Sequence, residues 1–463
     1  MNKKLLIFLL IILVLTLGIR LTFSLSKKHP AGIDSYYHMR MGQSFPEDNL
    51  SYGGRDYFYP PGIHTTLSFI NLLIPMPWIA KILPAILAAL SVVTVFFLTK
   101  QIYNEKIALI ASILLSFIPV FLWKTITLMN INFVLFLFPL SALFLINKRK
   151  LYLAITATVL AFFSPAMFAV LFILFLLKNR QEKYLIIYFS IIFVILALLW
   201  FSSFVNIYFS RSLPSGLKNL LYPSLTFSQI LYRLSPFIFL LPIILFVFVN
   251  KAHKIEGFFK QFRFFVKKFD KNILIPWTFI FILGFFLIEP DRALSFLSIP
   301  LSIFSAKLIF KLQNKRILFF ASSISVIFIT IFFGILSLNS LSWTVIQPSE
   351  YNALYFLRKT PENSTILASE PEGHLITGIG QRKNVMDGNL LNAPNITSRY
   401  SHTKRMFQYQ NKSLLNKYSI DFVYVSDRTR YYFKNPDQIY SDQEIFFNNS
   451  FATIYRLKMT SSS

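Results

Sequence analysis

The chain has no cysteine, and only 14% of its 463 residues are charged. The first absence excludes a disulfide-held secreted scaffold. The second sets the chain apart from soluble globular proteins, in which about a quarter of residues carry charge. Acids are scarcer still, with 20 Asp and Glu against 46 Lys and Arg. Glycine-rich nucleotide cradles are also missing: the sequence holds neither a G-x-G-x-x-G nor a P-loop pattern. What it does hold is apolar, with 55% hydrophobic residues, 53 Phe and a mean hydropathy of +0.56. Such a composition excludes disorder and a compact soluble enzyme. It leaves a polytopic membrane protein, helical because long apolar runs prevail over period-two alternation.

The formal charge of +26 suggests nucleic acid until it is placed along the chain. Residues 341–463 carry 14 basic and 10 acidic residues, so the first 340 carry 32 and 10. Most of that excess sits in short loops between apolar runs, the pattern of cytoplasmic loops, and no nucleic-acid partner is inferred.

A membrane-spanning helix needs about 20 apolar residues. The runs 4–24, 78–99, 106–122, 127–146, 184–204, 228–250, 273–288, 293–310 and 317–339 satisfy this. The first follows Lys3 and Lys4 without a small-residue cleavage site, and reads as a retained signal anchor. A further stretch, 151–177, is split by Ser164-Pro165 and flanked on both sides by basic clusters, Lys148-Arg149-Lys150 and Lys178-Asn179-Arg180. Both flanks favour the cytoplasm, so two short helices turning at Ser164-Pro165 are expected. The total is about 11 spans, with the N-terminus cytoplasmic and the C-terminus outside. Segments 25–77, 205–227 and the tail after 340 then lie outside, as do all five Asn-x-Ser/Thr sequons, at Asn49, Asn363, Asn395, Asn411 and Asn448.

The expected architecture is a mainly α, polytopic membrane bundle over 1–340, followed by a small α/β extracytoplasmic domain over 341–463. In the tail, helical patterns at Glu350–Lys359, Gly373–Gly380 and Ser398–Tyr409 alternate with short strand-like runs at Ser364–Ala368, Asn384–Met386, Phe422–Ser426 and Phe451–Leu457.

Chemistry concentrates in the first outside loop, in Asp34-Ser35-Tyr36-Tyr37-His38-Met39-Arg40 and Tyr59-Pro60-Pro61-Gly62-Ile63-His64. An acid just beyond a span needs a partner or a cation. Asp34 suits a divalent metal, with His38 as a nearby ligand or donor. The alternative is structural: Asp34 pairs with Arg40, and the tyrosines, with Tyr57-Phe58-Tyr59, form an interface belt. His64 reads first as an interface or helix-start residue and second as a metal ligand. Glu47, Asp48, Asp56, Glu289 and Asp291 read as solvated loop charges.

These two motifs resemble the first outside loop of archaeal oligosaccharyltransferase catalytic subunits, which are GT-C membrane glycosyltransferases. The likeness extends to Glu289-Pro290-Asp291-Arg292-Ala293-Leu294-Ser295-Phe296, to Phe356-Leu357-Arg358 through Asp387-Gly388-Asn389, and to Tyr418–Val425 and Ile454–Leu457. It implies transfer of a sugar or oligosaccharide from a polyprenyl-(pyro)phosphate donor to an extracytoplasmic acceptor, protein or lipid, with protein asparagine as one acceptor class. By the same resemblance Asp34 is catalytic and Arg292 binds the donor phosphate. Asp34, Asn130 and Asn132 would hold Mn²⁺ or Mg²⁺, and His38, Arg40, His64 and Glu372 are acceptor or support residues. Three departures stand out. Asn130-Ile131-Asn132 takes the place of a second acidic motif, and Ser369-Glu370-Pro371-Glu372-Gly373 that of Trp-Trp-Asp-Tyr-Gly. Loop 205–227 contains no acid at all.

Two other classes compete. A lipid-linked-glycan transporter predicts repeated halves and mid-membrane charges, and no internal repeat is seen. A catalytically inactive scaffold follows if the departures abolish activity. The orientation has its own test. A C-terminal tag on intact cells should react with impermeant reagents and a tag within 251–271 should not; labelling of the 251–271 tag would reverse the topology.

Overall fold

The computed structural model describes residues 3–55, 57, 59–178, 181–209, 229, 233–234, 273–287, 290–314, 316–389 and 393–458. Most of the expected span 228–250 and of loop 205–227, the basic loop 251–271, and Asp56 and Glu289 lie outside the described residues.

Helices dominate the described residues up to 341. Among the described residues, four are long and apolar enough to cross a membrane: Lys3–Ser26, Met76–Ile102, Pro290–Asn314 and Ser323–Leu341. In chain order the helices are α1 (Lys3–Ser26), α2 (Ile33–Ser44), α3 (Pro61–Asn71), α4 (Met76–Ile102), α5 (Glu105–Phe117), α6 (Pro119–Lys124) and α7 (Asn130–Ile146). Then follow α8 (Lys150–Phe163), α9 (Pro165–Lys178), α10 (Lys183–Phe209), α11 (Leu274–Leu287), α12 (Pro290–Lys311) and α13 (Arg316–Leu341). The buried α4 packs against α1, α5 and α7 and forms the centre of the bundle.

Proline and polar side chains decide where these helices break. The run expected as one span over 106–122 is two helices, because Pro119 cannot donate to the ladder and instead opens α6 at its first position. Residues 151–177 divide at Ser164, which is extended and ends α8. Arg20 is wholly buried yet satisfied: it donates to Thr125 Oγ1 at 2.8 Å and to the carbonyls of Thr16 and Ser116 at 3.1 and 3.2 Å. These bonds fasten α1 to the broken α5–α6 element.

The tail carries a five-stranded sheet ordered β2-β1-β3-β5-β4, from β1 (Thr365–Leu367), β2 (Lys383–Asn384), β3 (Ile420–Ser426), β4 (Glu444–Asn448) and β5 (Ala452–Arg456). β1 pairs in parallel with β2 and β3, and β5 runs antiparallel to β3 and β4. Strand alternation gives the sheet two apolar faces. Phe422 and Tyr424 pack with Leu354 and Ile376, while Val423 and Val425 pack with Met406 and Phe407. β4 is an edge strand with Glu444 and Ile445 exposed, and its weak alternation escaped the sequence reading.

The segment between α1 and α3 is clamped to this tail. Tyr52 N–H donates to Asn384 Oδ1 at 2.7 Å, and its hydroxyl donates to the Asp387 carbonyl at 2.8 Å. Asp48 is buried between two guanidinium groups, 2.7 Å from Arg40 and 2.9 Å from Arg55. Arg55 also donates to the Asn389 carbonyl at 3.1 Å. Burial pushes the Asp48 carboxyl up, but the charges of Arg40 and Arg55 outweigh this and hold it at about 2. Asp48 is therefore no solvated loop charge. Asp48→Ala leaves two buried cations without their shared anion and should cost about 3–5 kcal/mol, the usual penalty for breaking a buried pair from one side. A thermal unfolding midpoint equal to that of the parent would show that the cluster holds nothing together.

Candidate active site

Gly32 starts α2 with a φ of +83°, a conformation that side-chain-bearing residues rarely adopt, and a Cβ there would lie 2.7 Å from Thr127 Cγ2. Ser35 then fixes the helix. Its hydroxyl donates to the Ala31 carbonyl at 2.6 Å and accepts from Leu128 N–H at 3.1 Å, tying α2 to the connection before α7. Asp34 sits in the first turn, where a carboxylate is favoured by the helix dipole, and its side chain is 55% exposed.

That exposed carboxylate opens onto a cavity of about 290 Å³. Part of its lining is polar, from Asp34, His38, Lys124, Arg292, His374 and Asn389. Much of the rest is apolar, from Val134, Met167, Val170, Ile280, Phe281 and Phe296 of α7, α9, α11 and α12. Asp34 and Arg292 are thus brought to one space from opposite parts of the chain. Asp34 does not pair with Arg40, whose guanidinium is committed to Asp48 and to Ser51 Oγ at 2.9 Å. Its ionisable neighbour is His374, 4.0 Å away, and the other ring nitrogen of His374 lies 3.6 Å from buried Asp387. Nor is Asp291 a solvated charge: it pairs with Arg233 and lies 3.9 Å from Lys124.

Two histidines stand behind Asp34. His38 Nδ1 is 2.9 Å from His64 Nε2, and His64 Nδ1 is 2.7 Å from the Tyr57 hydroxyl. Burial, then the charges of His374 and Arg292, push His38 down to about 3. Burial, His38 and Arg40 lower His64 as well. On the tail side, burial, Asp387 and Asp34 raise Glu370 to about 8.

The expected metal-ligand trio does not come together. Asn130 lines the cavity, but its Nδ2 donates to the Phe163 carbonyl at 2.7 Å. Asn132 is fully buried and off the cavity lining, and its Nδ2 donates to the Thr127 carbonyl at 2.6 Å. Among the described residues no group of three or more His, Asp or Glu converges as a metal site. One carboxylate beside one amide does not fit the oxygen-rich set that a hard dication takes. Glu372 lies apart as well. It is buried with Oε2 accepting from Ser369 Oγ at 2.5 Å and Thr429 Oγ1 at 2.7 Å, while Ser426 donates to Oε1. Gly373, the glycine that survives from the expected motif, has no room for a Cβ against Met386 and Asp387.

The sequence reading missed Lys124 and His374, and met Glu370 and Asp387 only within the motifs that carry the resemblance. Lys124 had a signal, a lone cation following a proline-broken span; His374 carries none outside the fold.

No protein-family model matches the chain, and no curated protein matches it. Solved structures do. Archaeal oligosaccharyltransferase AglB from Archaeoglobus fulgidus, in complex with an inhibitory peptide and a dolichol-phosphate, is 14% identical with a TM-score of 0.65, over 91% of this chain and 70% of that one. ArnT from Cupriavidus metallidurans, bound to undecaprenyl phosphate, is 10% identical with a TM-score of 0.58, over 99% of both chains. Arabinofuranosyltransferase AftD from Mycobacteria is 13% identical with a TM-score of 0.52, over 96% of this chain and 39% of that one. All three are GT-C glycosyltransferases, and this chain, mostly helical with a small C-terminal sheet, has their fold.

Proposed function

We propose that the chain is a membrane glycosyltransferase that moves a sugar or oligosaccharide from a polyprenyl-(pyro)phosphate carrier to an extracytoplasmic acceptor, protein or lipid. The observation that carries this reading is the mixed lining of the cavity. Cations and a carboxylate line it together with apolar side chains from four helices. A lipid phosphate combines the same two characters. The structural neighbours bound to dolichol-phosphate and undecaprenyl phosphate favour the same ligand class. In this reading residues 1–340 hold the donor, the tail over 341–463 stands outside the membrane, and the N-terminus is cytoplasmic.

The roles follow from charge. When the bond between the anomeric carbon and the phosphate oxygen breaks, its electron pair moves onto that oxygen. Arg292 and Lys124 both line the cavity and oppose the growing negative charge. The acceptor's N–H or O–H attacks the anomeric carbon and passes its proton to Asp34, the exposed carboxylate at the rim. His374, between Asp34 and Asp387, orients that carboxylate. Protein asparagine is the finer acceptor proposal, and the direct experiment offers a sequon peptide and a lipid acceptor in parallel with labelled polyprenyl-linked glycan, with Mn²⁺ or Mg²⁺ supplied. Absence of transfer to either acceptor would overturn the reading.

Two substitutions probe the parts separately. Asp34→Asn keeps the volume but removes the proton acceptor, and transfer should fall by at least about 10²-fold with expression and membrane insertion unchanged. Arg292→Ala removes a charge-assisted phosphate contact of roughly 1.5–3 kcal/mol and should weaken donor use correspondingly. Unchanged transfer in Asp34→Asn would move the nucleophile's partner elsewhere, and unchanged donor kinetics in Arg292→Ala would remove that residue from the site.

A further inference from the structure

Tyr57, His64 and His38 form one hydrogen-bonded line that ends at the cavity. The hydroxyl-to-Nδ1 distance is 2.7 Å, and the distance between the two rings is 2.9 Å. His38 uses Nδ1 for this line. Its Nε2 has no hydrogen-bond partner among the described residues, and His38 borders the cavity. Each neutral ring carries one proton, so placing one proton places them all. Two arrangements are self-consistent. In the first, Tyr57 donates to His64 Nδ1, His64 Nε2–H donates to His38 Nδ1, and His38 presents Nε2–H to the cavity. In the second every bond is reversed, and the phenol must donate elsewhere. Its other acceptor among the described residues is the Pro60 carbonyl, 3.4 Å away, beyond the usual O–H···O range. The first arrangement keeps the short bond at full strength and is therefore favoured.

We propose that Tyr57 and His64 are positioning residues that fix His38 as its Nε2–H tautomer, making it a neutral hydrogen-bond donor to the phosphate oxygen of the lipid-linked donor. The proposal rests on reading the cavity as a lipid-phosphate site. As the bond from the anomeric carbon to that oxygen breaks, the electron pair moves onto the oxygen and the contact to Nε2–H strengthens. The proton stays on His38. Complete transfer would draw protons along the line and leave Tyr57 a phenolate, which burial, the neighbouring Tyr37 and Tyr59, and Asp48 all oppose. A neutral imidazole thereby adds a directed donor beside Arg292 without adding a further buried cation.

Nitrogen-15 NMR of the full-length, histidine-labelled protein in detergent reads the tautomer directly. The six histidines are assigned by single substitutions. His38 should show a pyrrole-type Nε2 and a pyridine-type Nδ1, and its Nε2–H resonance should shift when polyprenyl phosphate is added. Tyr57→Phe should turn this signal into a tautomer mixture and lower kcat about 10-fold, while the KM for the donor changes little. His38→Gln, whose amide N–H falls near Nε2–H, should retain at least about 10-fold more transfer than His38→Leu. A pyridine-type Nε2 in the unsubstituted protein, a His38 signal indifferent to polyprenyl phosphate, or equal transfer by His38→Gln and His38→Leu overturns the proposal. The tautomer and the phosphate response need no turnover. If both hold while no transfer is found, they support the role of His38 and count against the transferase reading alone.

Discussion

Asp48 holds two guanidinium groups out of water at once, one from α2 and one from the following loop, and the rest of the site takes its position from that arrangement. A buried charge persists only when paired, so Arg40 and Arg55 cannot drift from Asp48 without leaving a cation in a poor solvent. Arg55 continues the line to the Asn389 carbonyl and lies 3.9 Å from Asp387. Tyr52 adds two hydrogen bonds to the same part of the tail. Together they set α2 and the segment 384–389 in fixed register. Asp34 on the first and His374 beside the second meet as a result, 4.0 Å apart.

The amide at position 130 has a similar structural origin. At the Ser164 break the Phe163 carbonyl loses the partner it would find four residues on in an unbroken helix, because Met167 N–H turns to Ser164 Oγ at 3.4 Å. Asn130 Nδ2 supplies the missing donor. A carboxylate there has no proton to give and would place negative charge against a carbonyl oxygen. The departure from the acidic motif therefore follows from how this chain turns between α8 and α9, and in the proposed function the neutralisation of phosphate falls to Lys124 and Arg292.

Local features were legible in the sequence: apolar runs, the turn at Ser164-Pro165, most tail strands, and Asp34 and Arg292 as rim residues. Pairings were not. Nothing in the spacing separates Asp34–Arg40 from Asp48–Arg40, since both lie within reach of a short loop. The selection comes from Arg55 and the tail, more than 300 residues distant. The contact between His38 and His64 depends on how α2 lies against α3, and Asn132 reads as a ligand until the connection before α7 places Thr127 in front of its amide. Edge strand β4 carries its apolar residues in an irregular register with β5, so its pattern is weak in the sequence alone.

In the proposed function, the charges at the site act differently on the two substrates. The helical side contributes the cations Lys124 and Arg292. The rim and tail contribute the acids Asp34, Glu370 and Asp387; burial, then the charges of Asp387 and Asp34, raises Glu370 to about 8, so it keeps its proton near neutral pH. A donor phosphate in the cavity is attracted by Lys124 and Arg292. An acceptor bearing N–H or O–H groups finds a hydrogen-bond acceptor in Asp34, which lines the same cavity. On that reading charge distinguishes donor from acceptor before either is recognised in detail, and the neutral His38–His64 pair, which meets the cavity at His38, adds no further charge to it.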